Sequence, residues 1–474
     1  MNKPDELFGF TAIDGEQYSF EFDHAKFSLR LYPAGESGWK RSKQRQIHDL
    51  FDLEQLEDPS WIGEEIIHAD TADGNAVEFC ISQNRSMNNG LIVYPVNWYY
   101  YHYPSFALDD INGITIRGGD ICYFYNPNRI LKKTLTYEQG RKTAKEVAVS
   151  AEHSSASCGT YRIAKNLDAA VTVNSYAIMR HWDYSSPLSG TSSLTLSFSD
   201  PCNLGIAVKG CRHIRALLMY LTYRTNVSFE AVDVFRIRED GLRHNDGILA
   251  FSQQSSSETH SKASSRVIPQ HLLKRKTSKL MTLIKNGNLR LYFLCDSIDR
   301  QSEYTPARCI MILSQFEREF GLIYGDEIVE SQSFNDVKND ILALLENYRE
   351  TQTGSRKKRA KSFIRYIENQ QERMSFQQMT NRALRDCANI IEPFVAHEYS
   401  GFKPEIRDDI SHRIADVRNG IAHNKLSFDF DPVHINDIKT VEKLLYAMRL
   451  KHIGLTDDEC KQAIAGLFDV NISL

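Results

Sequence analysis

The spacing of apolar residues along the chain changes once, near residue 300. Before that point, short apolar and aromatic runs rich in Val, Ile, Tyr, Phe and Thr alternate with Gly, Asn, Asp and Pro, which is typical of antiparallel β domains. After it, apolar residues recur every three or four positions, as on one face of an α-helix. The pattern predicts an α+β chain, with a β-rich, sandwich-like N-terminal domain over residues 1–300 that includes a few helices, and an all-α bundle over residues 301–474.

The N-terminal part is predicted to consist mostly of strands. They are expected at Tyr18–Phe22, Phe27–Leu31, Ala76–Ile81, Leu91–Tyr103, Gly113–Ile116, Ile121–Tyr125, Ala170–Ile178, Ser193–Phe198, Val227–Ile237 and Gly247–Ser252. Helical spacing predicts helices at Ile206–Tyr223 and Pro269–Ile284, with a polar surface loop at Gln253–Ser265 between them. The aromatic run Trp98–Tyr103 has two interpretations, a surface that stacks nucleic-acid bases or a strand of the core.

The C-terminal part is predicted to be helical almost throughout. One helix begins at Thr305-Pro306, and others are expected at Val337–Tyr348, Ser362–Asn369, Ser375–Ile391, Ile435–Leu450 and after the capping box Thr456–Glu459. A further helix carries an apolar stripe with spacings of four, four, three and four residues: Ile406, Ile410, Ile414, Val417 and Ile421.

Composition indicates an ordinary globular protein. The chain has 474 residues, of which 42% are hydrophobic and 25% charged. No apolar run approaches the roughly 18 residues that a membrane span needs, and the N-terminus lacks the basic start and apolar core of a secretory signal. We therefore expect a cytoplasmic protein with no membrane contact, whose nine scattered cysteines stay reduced.

Charge and motifs limit the candidate partners. The formal net charge of −4 gives no overall basic field, so any contact with RNA has to depend on a local patch such as Arg356–Lys361. That run is either a solvated, mobile segment or a surface that steers phosphates. The chain has no His and Cys cluster with zinc spacing, no Gly-rich phosphate loop and no Gly-x-Ser-x-Gly elbow. No cofactor or metal is expected.

One segment at the end of the apolar stripe combines residue types suited to phosphodiester chemistry: Arg418, Asn419 and His423. On a helix Asn419 and His423 share a face, and the long side chain of Arg418 can curl back toward Asn419. A guanidinium binds phosphate oxygens through two N–H donors, and an imidazole gives or takes a proton near neutral pH. We expect these three residues to be catalytic. A similar pair at Arg407 and His412 is interpreted as non-functional, because it lacks the asparagine directly after the arginine.

This segment resembles the HEPN family, whose ribonuclease members carry an arginine, a polar residue directly after it and a histidine a few positions later, in a late helix of an α-helical domain. The resemblance covers roughly residues 300–474, and Ala422-His423-Asn424 is similar to the motif ending of many members. The order of the whole chain, a β-rich half followed by this module, resembles the ApeA-like anti-phage defence proteins in architecture.

The resemblance implies a metal-independent endoribonuclease that acts in anti-phage defence by abortive infection. The 2′-hydroxyl of RNA attacks the adjacent phosphorus, His423 moves the proton, Arg418 neutralises the phosphorane, and Asn419 contacts the phosphate or orients His423. Such families pair two modules at one cleft, so a homodimer or higher homo-oligomer is expected. The substrate is RNA, with tRNA and other translation-related RNA as candidates, and the N-terminal domain is expected to sense a phage-derived trigger.

Two points stay open in the sequence. Some family members add an acidic residue from an earlier helix, and Glu317 or Glu319 fits that position, although a solvated helical charge is an equal interpretation. The function itself has alternatives: a non-catalytic scaffold that only binds RNA or dimerises, or an antitoxin-like partner of a nucleotidyltransferase.

Overall fold

The computed structural model describes residues 3–33, 65–82, 86–88, 91–105, 107–137, 144–179, 188–252, 260–325, 331–396, 399, 401–422 and 431–472. Contacts along the chain divide it into two compact units, Met1–Gln301 and Ser302–Leu474. The first unit is rich in strands and the second is helical, which confirms the α+β class.

The strands of the first unit pair antiparallel. They are β1 Phe8–Ile13, β2 Glu16–Asp23, β3 Ser28–Pro33, β4 Glu65–Thr71, β5 Ala76–Ile81, β6 Ser86–Asn88, β7 Leu91–His102, β8 Ile111–Arg117, β9 Leu131–Tyr137, β10 Ala144–Ala151, β11 Ser154–Ala164, β12 Leu167–Met179, β13 Leu188–Cys202, β14 Ala231–Ile237 and β15 Arg243–Phe251. Its helices are α1 Gly119–Phe124, α2 Leu204–Thr222, α3 His260–Ser265, α4 Gln270–Leu273 and α5 Thr277–Lys285.

The sandwich-like arrangement expected from the sequence is replaced by a barrel with an open extension. Strands β7, β3, β2, β1, β4 and β5 follow one another around the barrel, and pairing of β5 with β7 closes it. Strand β7 is long enough to pair with β3 through its first half and with β5 and β15 through its second half. From β15 the sheet continues through β14, β8, β13, β12 and β11, while β9 and β10 pair with each other.

Alternation of side chains fills the barrel with aromatic residues. In β2, Tyr18, Phe20 and Phe22 point to the same side and are buried. The rings of Phe22 and Tyr99 contact edge to face at 5.1 Å between centroids. Tyr99, Tyr100 and Tyr101 are all buried, so the aromatic run in β7 is a core strand.

The strand predicted at Ile121–Tyr125 is wrong, because residues 121–124 belong to helix α1 and Tyr125 is its C-cap. Its buried residues Asp120, Ile121 and Phe124 have helical spacing. A run of five apolar residues does not by itself distinguish strand from helix. The Asp120 carboxylate also forms a buried ion pair with Arg224, a long-range contact that the local pattern does not contain.

Other predicted boundaries change. The loop predicted at Gln253–Ser265 ends in α3, and residues 253–259 lie outside the described residues. All nine cysteines lie within the described ranges, none forms a disulfide there, and all but Cys122 are buried.

The second unit consists of helices α6 Pro306–Tyr324, α7 Gln332–Thr351, α8 Gly354–Glu368, α9 Phe376–Asp386, α10 Ala388–Val395, α11 Pro404–Ala422, α12 Pro432–His452 and α13 Asp457–Phe468. The helix predicted at Ser375–Ile391 is two helices, which meet at Cys387. The basic run Arg356–Lys361, predicted to precede a helix, lies inside α8. The capping box at Thr456 is confirmed, since both of its hydrogen bonds form.

Buried ion pairs join α12 to its neighbours. Arg449 pairs with Glu319 of α6, with both side chains almost fully buried. Arg308 of α6 pairs with Glu442 at 2.8 Å, and Arg413 of α11 binds both carboxylate oxygens of Asp437, at 2.7 and 2.9 Å. A shift of α6 or α11 along α12 would separate the partners and leave buried charges uncompensated. These pairs therefore fix how α6 and α11 lie against α12. Across the part of the chain that is described, no helix is long and apolar enough to cross a membrane.

Candidate functional site

The apolar stripe of α11 fixes the orientation of its polar residues. Of the five residues of the predicted stripe, Ile410, Ile414 and Val417 are 0% exposed, whereas Ile406 and Ile421 at its ends are half-buried. Arg418 and Asn419 directly follow Val417, four and three residues before the last helical residue Ala422. Arg418 is half-buried and Asn419 is exposed. Packing therefore holds the backbone of both residues in place and leaves their side chains accessible.

Arg418 contacts two other helices. Its Nη2 donates a hydrogen bond to Oε2 of Glu317 on α6 at 3.0 Å. Its guanidinium carbon lies 5.5 Å from the ring centroid of Phe376 on α9, within the range of a cation–π contact. The side chains of Arg418 and Glu317 are 35% and 44% exposed, so the pair is open to a ligand. The junction of α6, α9 and α11 thus holds the guanidinium in one place.

The two acidic candidates have different environments. Glu317 pairs with Arg418, whereas Glu319 is 2% exposed and pairs with Arg449 in the core. Burial raises the pKa of Glu319, and the charge of Arg449 opposes that rise. Of the two, only Glu317 lies beside Arg418, and Glu319 stabilises the packing of α6 on α12.

The remaining members of the predicted trio are placed only in part. The Asn419 side chain is exposed and makes no hydrogen bond to any part of the chain that is described. His423 follows Ala422, the last residue of α11, and lies outside the described residues. The convergence of Arg418, Asn419 and His423 on one point stays a prediction.

The similar pair at Arg407 and His412 does not form a common site. His412 lies 3.4 Å from the carboxylate of Asp416 and is exposed. Arg407 donates to the carbonyl oxygen of Phe402 at 3.2 Å and lies over its ring. The two side chains contact different partners, and neither partner is shared with Arg418.

Sequence reasoning missed a polar groove on α9, the helix that supplies Phe376. The groove has a volume of about 580 Å³ and is lined by Met374, Ser375, Gln377, Gln378, Asn381, Arg382 and Arg385. Asn381 donates a hydrogen bond to Asp408 of α11, which ties the groove wall to the helix that carries Arg418. The basic residues Arg382 and Arg385 are three apart on an amphipathic helix, and that spacing is the signal in the sequence that could have found the groove.

Helix α8 presents a basic surface. Arg356, Lys357, Lys358, Arg359 and Lys361 are all exposed, while Ala360 and Ile364 are buried. Two aromatic residues on the same helix, Phe363 and Tyr366, are 60% and 62% exposed. Cations next to exposed rings are the combination that binds single-stranded nucleic acid through phosphates and bases.

Among the described residues, no group of three or more His, Cys, Asp or Glu side chains is placed to hold a metal ion. Comparisons with models of known families, with curated proteins and with solved structures found no match to this chain.

Proposed function

We propose that this protein is a metal-independent endoribonuclease that acts in the cytoplasm in anti-phage defence, by abortive infection. The observation that carries the proposal is the half-exposed Arg418, which Glu317 and Phe376 hold in place on a packed helix. The last residue of that helix, Ala422, directly precedes His423 in the sequence. Cleavage of a ribose–phosphate linkage requires a fixed cation and a group that transfers protons, and the imidazole of His423 is proposed to be that group.

The proposed reaction uses the substrate's own nucleophile. His423 accepts the proton of the 2′-hydroxyl as that oxygen bonds to phosphorus, and the bond from phosphorus to the 5′ oxygen breaks. The leaving oxygen takes a proton from a second acid, which in a dimer is the His423 of the other copy in its protonated form. Arg418 neutralises the charge of the phosphorane and Asn419 donates to a phosphate oxygen. The products are a 2′,3′-cyclic phosphate and a 5′-hydroxyl.

Glu317 acts in this scheme as a positioning residue. Its carboxylate accepts from Nη2 of Arg418, so the guanidinium still has Nε and Nη1 donors for a phosphate. Because the Glu317 carboxylate is engaged by Arg418, the proton transfer is assigned to His423.

RNA is proposed to reach the site along basic surfaces of the helical unit. The exposed cations of α8 supply long-range attraction to phosphates, and the groove with Arg382 and Arg385 lies on the helix whose Phe376 contacts Arg418. Attraction of this kind weakens as salt rises, because bound counterions are released on association.

A second copy of the chain is proposed to dock on α7. Val337, Ile341, Leu344 and Tyr348 are 55%, 39%, 69% and 48% exposed. Their spacings of four, three and four residues are those of the a and d positions of a coiled coil. We call this apolar stripe the α7 seam, and we propose that it packs against the α7 seam of a second copy. The N-terminal unit is proposed to sense a phage-derived trigger, by analogy with the order of domains in similar defence proteins.

The alternative is a non-catalytic scaffold that binds RNA or dimerises. What favours it is that Arg418 is already neutralised by Glu317 and that Asn419 has no partner in the described part of the helical unit. A scaffold binds RNA through α8 and leaves every phosphodiester intact.

The test is end-group analysis of RNA incubated with purified protein in EDTA. The proposal predicts fragments that end in a 2′,3′-cyclic phosphate and begin with a 5′-hydroxyl, without added divalent metal. Intact RNA bound by the protein indicates the scaffold, and fragments with a 5′-phosphate contradict the proposed chemistry.

A further inference from the structure

The N-terminal unit contains a cavity with an amphipathic lining. It has a volume of about 580 Å³ and lies between one face of α2 and the end of the ladder that joins β7 to β15. From α2 it is lined by Cys211, Arg212, Arg215 and Met219, which recur at helical spacing on one face. This volume is in the range of cavities that bind small molecules.

Aromatic side chains form the sheet wall of the cavity. Trp98 of β7 and Phe251 of β15 are directly opposite each other in the ladder. The Phe229 ring lies 6.5 Å from the Phe251 ring in an edge-to-face arrangement, and Trp98 is only 2% exposed. Phe251 is half-buried and presents apolar surface to the cavity, and the nearly buried Trp98 and Phe229 rings support it.

Arg215 is the unusual member of the lining. It is half-buried, and it makes no ion pair or hydrogen bond within the described residues. Other buried arginines of the same unit are compensated: Arg224 pairs with Asp120, and Arg236 pairs with Asp246 at 3.1 Å. A half-buried cation without a counter-charge is costly, and binding of an anion removes that cost.

The charge of Arg215 and two neighbouring polar groups also favour binding of an anion in the cavity. Burial lowers the pKa of Arg215, which reports the desolvation of its guanidinium, although an arginine stays charged at neutral pH. Arg212 lies three residues before it on the same face of α2, so two cations border the cavity. The indole Nε1 of Trp98 has no acceptor among the residues that are described.

We propose that this cavity binds a small molecule that joins an anionic group to a flat aromatic part, the chemistry of a nucleotide. The anion is held by Arg215 and Arg212, and the aromatic part lies against Phe251, at the wall that Trp98 and Phe229 complete. An arginine fork and a flat ring surface recognise these two parts separately, so the whole ligand binds more tightly than either part.

The test is isothermal titration of the full chain with the four ribonucleoside 5′-monophosphates, adenosine and inorganic phosphate. A 5′-monophosphate has no 3′ phosphodiester, so the proposed nuclease reaction does not consume it during the titration. The His423→Ala variant is expected to bind as the wild type does. We expect at least one monophosphate to bind at least tenfold more tightly than adenosine and phosphate.

Variants assign the binding to the cavity. Arg215→Met keeps the length and apolar stem of the side chain and is expected to weaken nucleotide binding at least tenfold. The nucleotide affinity of Arg215→Lys is expected to lie between those of Arg215→Met and the wild type. Lysine keeps the positive charge but lacks the paired N–H donors of a guanidinium. Arg290→Met, at an exposed arginine of the same unit, is the matched control and is expected to bind normally.

Several results overturn the proposal. One is that no monophosphate binds more tightly than phosphate alone, and another is that Arg215→Met binds as tightly as wild type. If Arg215→Met fails to fold, quenching of Trp98 fluorescence is measured against a Trp98→Phe variant. A ligand-dependent signal that persists unchanged in Trp98→Phe places the ligand elsewhere and contradicts the proposal.

Discussion

Arg418 and Glu317 are 101 residues apart in the chain, and their side chains meet at 3.0 Å between Nη2 and Oε2. The pair joins α11 to α6, and both side chains are accessible. An exposed pair of this kind contributes at most about 1 kcal/mol to folding. The pair fixes the position of a guanidinium. We therefore predict that its loss affects RNA cleavage more than it affects folding.

Two glutamates on α6 should therefore respond differently to the same substitution. Glu317→Gln is expected to change the free energy of unfolding by less than about 1 kcal/mol, and to slow RNA cleavage by about tenfold or more, because the guanidinium loses its fixed position. Glu319→Gln leaves the buried Arg449 without a counter-charge and is expected to destabilise the helical unit by about 3 kcal/mol.

Urea unfolding and single-turnover cleavage of both variants measure this difference. Wild-type cleavage by Glu317→Gln at unchanged stability contradicts the positioning role of Glu317.

Removal of the basic surface of α8 should weaken RNA binding to a similar extent whatever the base sequence of the RNA. Replacement of Lys357, Lys358 and Lys361 by alanine is expected to reduce the slope of log affinity against log salt by about one for each phosphate that these lysines neutralise in the wild type. Fluorescence anisotropy with a labelled single strand at several salt concentrations measures the slope. Lys403→Ala, at an exposed lysine before α11, is the control, and an unchanged slope in the triple variant assigns RNA binding to another surface.

A charge placed in the α7 seam should dissociate the proposed dimer. Leu344→Glu introduces a carboxylate at a position that is 69% exposed, so the fold is kept while burial against a second copy becomes unfavourable. We expect a monomer in analytical ultracentrifugation, and loss of RNA cleavage with it. Asn339→Glu adds the same charge at an exposed position outside the seam and is expected to leave the mass unchanged. A dimer that survives Leu344→Glu excludes α7 as the interface.

The N-terminal unit should lose stability in mild acid because of His213. Burial, together with the charges of Lys209 and Lys285, lowers the pKa of His213 to about 4, whereas an unfolded histidine titrates near 6.5. Between these values the unfolded chain binds an extra proton, so stability falls as pH falls. The contribution to stability that disappears from pH 7 to pH 5 is about 2 kcal/mol.

His213→Gln removes this proton and should have a shallower dependence of unfolding free energy on pH. Tryptophan fluorescence follows the N-terminal unit in urea, since Trp39, Trp61, Trp98 and Trp182 all precede residue 302. If the unfolding free energies of wild type and His213→Gln depend on pH in the same way, the lowered pKa of His213 is contradicted.

Features that depend on local periodicity were predicted from the sequence, and features that depend on distant pairing were not. The stripe of α11 was found because Ile410, Ile414 and Val417 repeat at helical spacing. Closure of the barrel depends on register between β5 and β7, which no local pattern contains. The distinction between Glu317 and Glu319 depends on partners from α11 and α12, more than 100 residues away.

The claim that Arg418 and His423 cleave RNA is tested most directly by single-turnover cleavage of one RNA in EDTA by wild type, His423→Ala and His412→Ala. His412 is an exposed histidine on α11 that pairs with Asp416, so its substitution controls for loss of a histidine near the site. We predict that His423→Ala forms no 2′,3′-cyclic phosphate and that His412→Ala cleaves at the wild-type rate. Cyclic-phosphate product formed by His423→Ala at the wild-type rate contradicts the account.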